Sequence, residues 1–160
     1  MIVMGIDPGV AKLGYAFIEI KKKGGKLKTI DYGCITTSPD LSNGERLKKI
    51  NNELNKLIKK YKPKVLAVES VYFFKNLKTA IPVSEAKGVI LLTAAKKQLK
   101  VRQFTPLQVK MTICGYGRAT KQQIQKMVKE ILNLNKIPKP DDAADALAIA
   151  ICCGVGRNRA

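Results

Sequence analysis

Three aspartates stand within five positions at the start of an otherwise apolar stretch, DDAADALAIA at residues 141–150. Acidic residues are scarce in this chain, which has 12 Asp and Glu against 30 Lys and Arg. Asp142 and Asp145 are three positions apart and would share one face of a helix. Asp141 precedes Asp145 by four positions and lies on the same face, so helical spacing alone leaves open which aspartate acts with Asp145. Carboxylates in this position are suited to holding a cation.

Two further acids close predicted strands. Asp7 ends the first apolar strand, and Glu69 follows the short apolar run VLAV. If the two strands are parallel and adjacent, these acids lie side by side at the carboxyl edge of the sheet, where open α/β sheets bind ligands. With Asp142 and Asp145, four carboxylates would then converge. Each would raise its neighbours' pKa values, and bound Mg²⁺, which takes oxygen ligands, would remove that conflict.

Each acid also has a purely structural interpretation. Asp7 could form an Asx turn where its strand ends. Asp142 and Asp145 could complement the dipole at the start of their helix, although this explains Asp145 only weakly. Glu69 has no basic partner nearby in the sequence and is harder to explain in this way. The four acids together therefore favour a metal site over four independent structural roles.

The predicted elements form a single α/β domain. Strands are expected at 3–7, 14–20, 27–37, 65–68 and 101–104. Helices are expected after a capping box at 42–45, over 77–99, from 105, from 120 and from about 141. This order predicts a mixed five-stranded sheet with helices on both faces. The domain should cover residues 1–156, and residues 157–160 should form a short C-terminal tail.

The net charge of +18 predicts a polyanionic partner, with nucleic acid favoured over an anionic membrane. No apolar run approaches the roughly 18 residues that a spanning helix needs. The first residues lack a basic segment and are interrupted by Asp7, which argues against a signal peptide. We therefore expect a cytoplasmic protein.

The composition also restricts the chemistry. The chain has no histidine, which excludes Ser-His-Asp triads, HExxH zinc sites and histidine general bases. Its four cysteines form no C-x-x-C pair and are expected to be reduced, mostly buried side chains. Any hydrolysis must therefore depend on carboxylates, lysines or metal ions.

Four blocks of the sequence, in this order, resemble the RuvC-type Holliday junction resolvases, which are endonucleases of the ribonuclease-H-like fold. These blocks are GIDPG at 5–9, VESVYFFKN at 68–76, QVKMTICGYGRATKQQ at 108–123 and DDAADALAIA at 141–150. The resemblance extends over nearly the whole chain. It implies a Mg²⁺-dependent endonuclease that resolves four-way (Holliday) DNA junctions by paired symmetric nicks in recombination and repair.

The resemblance assigns the metal site to Asp7, Glu69, Asp142 and Asp145. Some family members have a histidine at the position of Asp142, where this chain has an acid. Two Mg²⁺ ions about 4 Å apart are expected to activate a water molecule and stabilise the leaving 3′ oxygen. Mn²⁺ is expected to substitute for Mg²⁺.

The resemblance also identifies DNA-binding residues. Tyr72 occupies the place of an aromatic residue that contacts bases at the branch point, although Phe73 or Phe74 could instead anchor this loop in the core. Lys110 and Lys121 match basic residues near the site and could stabilise charge on the reacting phosphate. As single residues, both lysines could equally be solvated surface groups.

The family pattern further implies a homodimer that cooperates with the RuvA–RuvB branch-migration complex. A two-fold dimer suits a four-way junction because dimer and junction can share a two-fold symmetry axis. The apolar face of the 77–99 helix is the predicted interface.

Two alternative functions stay open at this point. One is another ribonuclease-H-like nuclease that acts on structured RNA, and the other is a non-catalytic basic nucleic-acid-binding protein.

Overall fold

A computed structural model describes residues 1–21, 26–70 and 77–155, without the side chains of residues 77–79. Its strands are β1 (Ile2–Asp7), β2 (Lys12–Ile20), β3 (Leu27–Thr36), β4 (Val65–Glu69) and β5 (Lys100–Phe104). Its helices are α1 (Asn43–Tyr61), α2 (Leu77–Lys96), α3 (Pro106–Cys114), α4 (Lys121–Ile131) and α5 (Asp141–Val155). The element order is the predicted one.

The described strands form one mixed sheet in the order β3-β2-β1-β4-β5. β1 pairs antiparallel with β2, and β2 pairs antiparallel with β3. β4 pairs parallel with β1 on one side and with β5 on the other. The predicted five-stranded mixed sheet is confirmed.

Local sequence signals explain where three of the helices begin. α1, α3 and α4 each start at a capping box, in which a Ser or Thr side chain accepts the third backbone N–H while the side chain of that third residue accepts the cap's own N–H. The pairs are Ser42 with Glu45, Thr105 with Gln108, and Thr120 with Gln123. Within residues 1–21, 26–70 and 77–155, no helix is both long and apolar enough to cross a membrane.

Alternating residues of β1 pack on opposite faces of the sheet. Val3 belongs to a core cluster with residues of α3, α4 and α5. Met4 and Ile6 belong to a second cluster with residues of α1 and α2. Helices therefore cover both faces, as predicted. α5 approaches β1 so closely that a Cβ atom at Gly5 would lie 2.2 Å from the Ala146 carbonyl oxygen.

The end of α2 differs from the prediction. The helix ends at Lys96, not at residue 99. Gln98 adopts a positive φ of 54°, which terminates the helix, and the Leu99 N–H donates to the Ala94 carbonyl. Leu99 continues the apolar spacing of the helix, seven positions after Leu92, so periodicity alone did not indicate that the helix ends before it.

Candidate active site

Asp7 and Glu69 close the two central parallel strands. Ile6 of β1 pairs with Val68 of β4, so the residues that follow them lie at the same edge of the sheet. Successive side chains of a strand alternate between faces. Asp7 is therefore on the face of Val3, which is the face covered by α5. The same alternation along β4 places Glu69 on this face.

α5 brings Asp142 and Asp145 towards the same edge. Asp145 lines a cavity together with Asp7 and Glu69. Asp142 lies to one side of this cavity, above β2, where its backbone carbonyl would be 2.0 Å from a Cβ atom at Gly14. Its charge nevertheless raises the pKa values of both Asp7 and Asp145. All four predicted acids thus belong to one electrostatic cluster.

The cavity has a volume of about 220 Å³ and an acidic, a basic and a nonpolar part. Lys110 of α3 and Lys121 of α4 provide the basic part. The nonpolar part consists of Pro106, Val109, Ala119, Ile124, Ala148 and Ile149. The structure therefore brings together both predicted lysines and three of the four predicted acids around one space.

The acids perturb one another because they are partly removed from water. Burial, followed by the charges of Asp145, Glu69 and Asp142, raises the pKa of Asp7 from 3.8 to about 8, against an opposing contribution from Lys121. Burial and Asp145 likewise raise the pKa of Glu69. Burial also raises the pKa of Asp145, although Lys121 lowers it. Such a cluster favours the binding of positive charge.

Lys121 supplies part of that positive charge. Its Nζ atom lies 3.1 Å from Asp145 Oδ2 and 3.7 Å from Asp141 Oδ2. Burial lowers the pKa of Lys121, but its hydrogen bond and charge contact with Asp145 outweigh this effect and raise the pKa overall. Lys121 is the first residue of α4 and follows the Thr120 cap.

The donor set fits a hard divalent cation, since carboxylate oxygens are the ligands that Mg²⁺ prefers. In the described part of the chain, however, no three acidic or cysteine side chains are placed to hold a metal ion as they stand. Lys121 is bonded to Asp145, one of the expected ligands. Metal binding would therefore require the carboxylates to reorient and Lys121 to release Asp145.

Asp141 has partners of its own. It is the first residue of α5, as the sequence allowed. Its Oδ1 accepts hydrogen bonds from Gln125 Nε2 at 3.0 Å and Lys139 Nζ at 3.3 Å. These bonds lower the pKa of the Asp141 carboxyl. They engage one Asp141 oxygen outside the cavity, while the other oxygen lies 3.7 Å from Lys121 Nζ.

The sequence did not reveal the role of Lys87 in α2. Its charge lowers the pKa of Glu69, in opposition to burial and Asp145. Its Nζ atom donates to Gln103 Oε1 of β5 at 2.8 Å. In a chain with 30 basic residues, one lysine within a helix is not a recognisable signal. Only the packing of α2 beside β4 and β5 brings Lys87 close enough for its charge to affect the pKa of Glu69.

The sequence also gave no signal for Cys34 or Gly14. Burial raises the pKa of the Cys34 thiol, and the nearby Asp142 charge adds to the effect. Gly14 pairs with both Asp7 and Cys34. Its missing side chain leaves the space that the first turn of α5 occupies. Tyr72, Phe73 and Phe74 lie outside the described residues, so the base-contacting role of Tyr72 stays a prediction.

Comparison with known proteins identifies the family. The family model described as "Crossover junction endodeoxyribonuclease RuvC" matches residues 3–153. The crossover junction endodeoxyribonuclease RuvC of Halothermothrix orenii is 54% identical over 154 residues, which cover 96% of this chain and 92% of that protein.

Solved structures give the same result. The Thermus thermophilus RuvC structure superposes with a TM-score of 0.87 at 34% identity and covers 95% of this chain and 92% of that one. The T. thermophilus RuvC in complex with a Holliday junction substrate has a TM-score of 0.90 at 32% identity, with coverages of 98% and 96%. The predicted ribonuclease-H-like fold is confirmed. The chain belongs to the RuvC family of crossover junction endodeoxyribonucleases.

Proposed function

We propose that this protein resolves four-way DNA junctions by paired symmetric nicks, with Asp7, Glu69, Asp142 and Asp145 as the ligands of its Mg²⁺ ions. The observation that carries the proposal is the cavity that Asp7, Glu69 and Asp145 share with two lysines. A protein that only binds nucleic acid would not benefit from acids at this place, because they repel phosphate. Family membership favours junction DNA over structured RNA.

The four acids would contribute to the metal site from two parts of the fold. Asp7 and Glu69 come from the rigid centre of the sheet and would fix the metal relative to the scissile phosphate. Asp142 and Asp145, one helical turn apart on α5, would complete the ligand set. When bound, Mg²⁺ supplies activation of water and neutralises charge on the leaving 3′ oxygen. Cation binding would relieve the mutual repulsion of these carboxylates, which raise one another's pKa values.

The test is a cleavage assay with the purified full-length protein. A synthetic mobile junction with Mg²⁺, resolved on a denaturing gel, should give two nicks at symmetric positions. Mn²⁺ should support the same products, and EDTA should abolish them. Cleavage of structured RNA in preference to the junction would contradict the DNA substrate, and binding without any Mg²⁺-dependent nicks would indicate a non-catalytic protein.

Lys110 and Lys121 should contribute to the chemical step. We expect Lys121→Ala and Lys110→Ala each to lower the single-turnover cleavage rate at saturating protein by about 10²–10³-fold, the effect of removing one group that stabilises developing charge. Junction affinity should fall much less. The matched control is Lys126→Ala, since Lys126 is an exposed residue of α4 that does not line the cavity. Variants that cut at the wild-type rate when saturated would show that these lysines only bind phosphate.

The proposed homodimer should form through α2. Ile81 and Leu92 are 64% and 54% exposed and, at eleven positions apart, lie on one face of the helix. Leu92→Glu should convert the protein to a monomer in sedimentation velocity. A two-fold interface would bury the new carboxylates of both protomers, and their desolvation and repulsion oppose association. Ile30→Glu, an exposed position of β3, should leave the dimer intact. A Leu92→Glu protein that stays dimeric would place the interface elsewhere.

Two further assignments follow from the family. We propose cooperation with the RuvA–RuvB branch-migration complex, which would present the junction to the dimer. We also propose a cytoplasmic location, because the expected substrate is cellular DNA. Both rest on the family relationship and on the basic charge of the chain.

A further inference from the structure

A nonpolar surface patch lies beside the catalytic cavity, at the turn between α3 and α4. Leu107, Met111 and Tyr116 are 59%, 50% and 44% exposed. The turn packs closely against Leu107, because a Cβ atom at Gly117 would clash with Leu107 Cδ1, and the same position is 3.9 Å from Met111 Sδ. We call Leu107, Met111, Tyr116 and Gly117 the α3–α4 patch.

The ring of Tyr116 is held in place by the cap of α4. The Tyr116 hydroxyl donates to Gln123 Oε1 at 2.5 Å. The same oxygen accepts the Thr120 backbone N–H at 2.9 Å within the capping box. An exposed ring that is already oriented loses little conformational entropy when another flat group stacks on it. This arrangement presents Tyr116 as a binding surface.

Positively charged residues adjoin the patch along α3 and the following turn, and two of them line the cavity. Lys110 lies between Leu107 and Met111 in the sequence of α3 and lines the cavity. Exposed Arg118 follows Gly117, and Lys121 begins α4 at the cavity wall. Nonpolar and aromatic groups next to cations are complementary to unpaired nucleotides, which combine base faces with phosphates. The charge therefore favours a nucleic acid over a nonpolar protein surface.

We propose that the α3–α4 patch contacts unpaired nucleotides of the DNA strand on one side of the scissile phosphate. Tyr116 stacks on a base, while Leu107 and Met111 pack against the adjacent sugar. The proposal rests on the proposed function, because the patch can contact the adjacent nucleotides only if the catalytic cavity holds the scissile phosphate. Stacking accepts any base, so the patch should affect binding and strand placement more than the chemical step.

Cross-linking tests the contact directly. A four-way junction carries 5-iododeoxyuridine at single positions on either side of the cut site, and the full-length protein is irradiated with it in the absence of divalent metal. We expect one position to cross-link to the peptide that contains Tyr116, and Tyr116→Ala to abolish this product. Cross-links that map elsewhere for every position would overturn the proposal.

Affinity measurements provide the second readout. Tyr116→Ala should weaken junction binding by about 5- to 150-fold, the range for loss of one base stack. Tyr116→Phe should recover part of the affinity, because the ring remains but its hydroxyl bond to Gln123 is lost. Ile30→Gln, an exposed position on β3, should match the wild type. Circular dichroism melting verifies that each variant is folded.

Two outcomes separate the possible failures. If Tyr116→Ala and Met111→Gln bind and cut the purified junction normally but lose activity with branch-migration proteins present, the patch is a protein-docking surface and the proposal is wrong. Wild-type cleavage of the same junction is measured in parallel. If the wild type does not cleave the junction, the proposed nuclease function is contradicted, whatever the cross-linking result.

Discussion

Asp7→Asn and Glu69→Gln are expected to abolish junction cleavage while leaving junction binding intact or tighter. Each substitution keeps the size of the side chain but removes the charge expected to hold metal next to the scissile phosphate. The cleavage rate should fall by about a thousandfold or more, which corresponds to roughly 4 kcal/mol of transition-state stabilisation. Gel-shift titration in Ca²⁺ and single-turnover cleavage in Mg²⁺ measure the two effects separately. An equal loss of binding and cleavage would show that these acids maintain the fold.

Thermal unfolding provides the control for Asp7→Asn. Because the folded protein raises the pKa of Asp7 from 3.8 to about 8, the folded state retains this proton at pH values where the unfolded chain has lost it. The contribution of Asp7 to stability is therefore lost as the pH rises between about 4 and 8. At pH 8 without metal, Asp7→Asn should melt at least about 2–4 °C above wild type, the shift that 1 kcal/mol produces in a domain of this size.

The same comparison reports metal binding. At pH 4 the two proteins should melt at similar temperatures, because Asp7 is then mostly neutral in the folded state. Addition of Mg²⁺ at pH 8 should raise the melting temperature of the wild type and change that of Asp7→Asn little. A destabilised Asp7→Asn protein, or an equal Mg²⁺ effect on both, would contradict the proposed role of this acid.

Asp142→Asn is expected to eliminate Mg²⁺-dependent cleavage, whereas Asp141→Asn should cut close to the wild-type rate. Asp142 perturbs the pKa values of Asp7 and Asp145 and belongs to their charge cluster. One oxygen of Asp141 is bonded to Gln125 and Lys139, and asparagine retains an acceptor for both. Single-turnover cleavage of the mobile junction measures both variants.

The two aspartates are a matched pair, since they are adjacent in α5 and receive the same substitution. Both variants should bind the junction and unfold at similar temperatures. An inactive Asp141→Asn with an active Asp142→Asn would reverse the assignment of the ligand. Loss of activity in both would indicate that Asp141 also contributes to the site, through Lys121, whose Nζ atom lies 3.7 Å from Asp141 Oδ2 and 3.1 Å from Asp145 Oδ2.

The sequence by itself determined the elements and the kind of chemistry. The capping patterns at Ser42 and Thr120 and the proline after Thr105 act through neighbouring residues, so their helices could be predicted from local sequence and were found where expected. The absence of histidine and the scarcity of acids restricted the candidates to few side chains. Asp7 and Glu69 could be placed together because parallel strands end at one edge of a sheet. Their identification needed no knowledge of side-chain packing.

The tertiary structure decided how these side chains interact. Which aspartate of α5 faces the sheet depends on how the helix is rotated, and Gly14 sets this by admitting the Asp142 backbone. The contact of Lys121 with Asp145 joins the starts of two separate helices, and the charge of Lys87 lowers the pKa of Glu69 from an element distant in sequence. The spacing of residues within one segment gives no information about contacts between side chains of different segments. These contacts form because an apolar core is buried on each face of the sheet, and this burial fixes the position of the helices against the sheet.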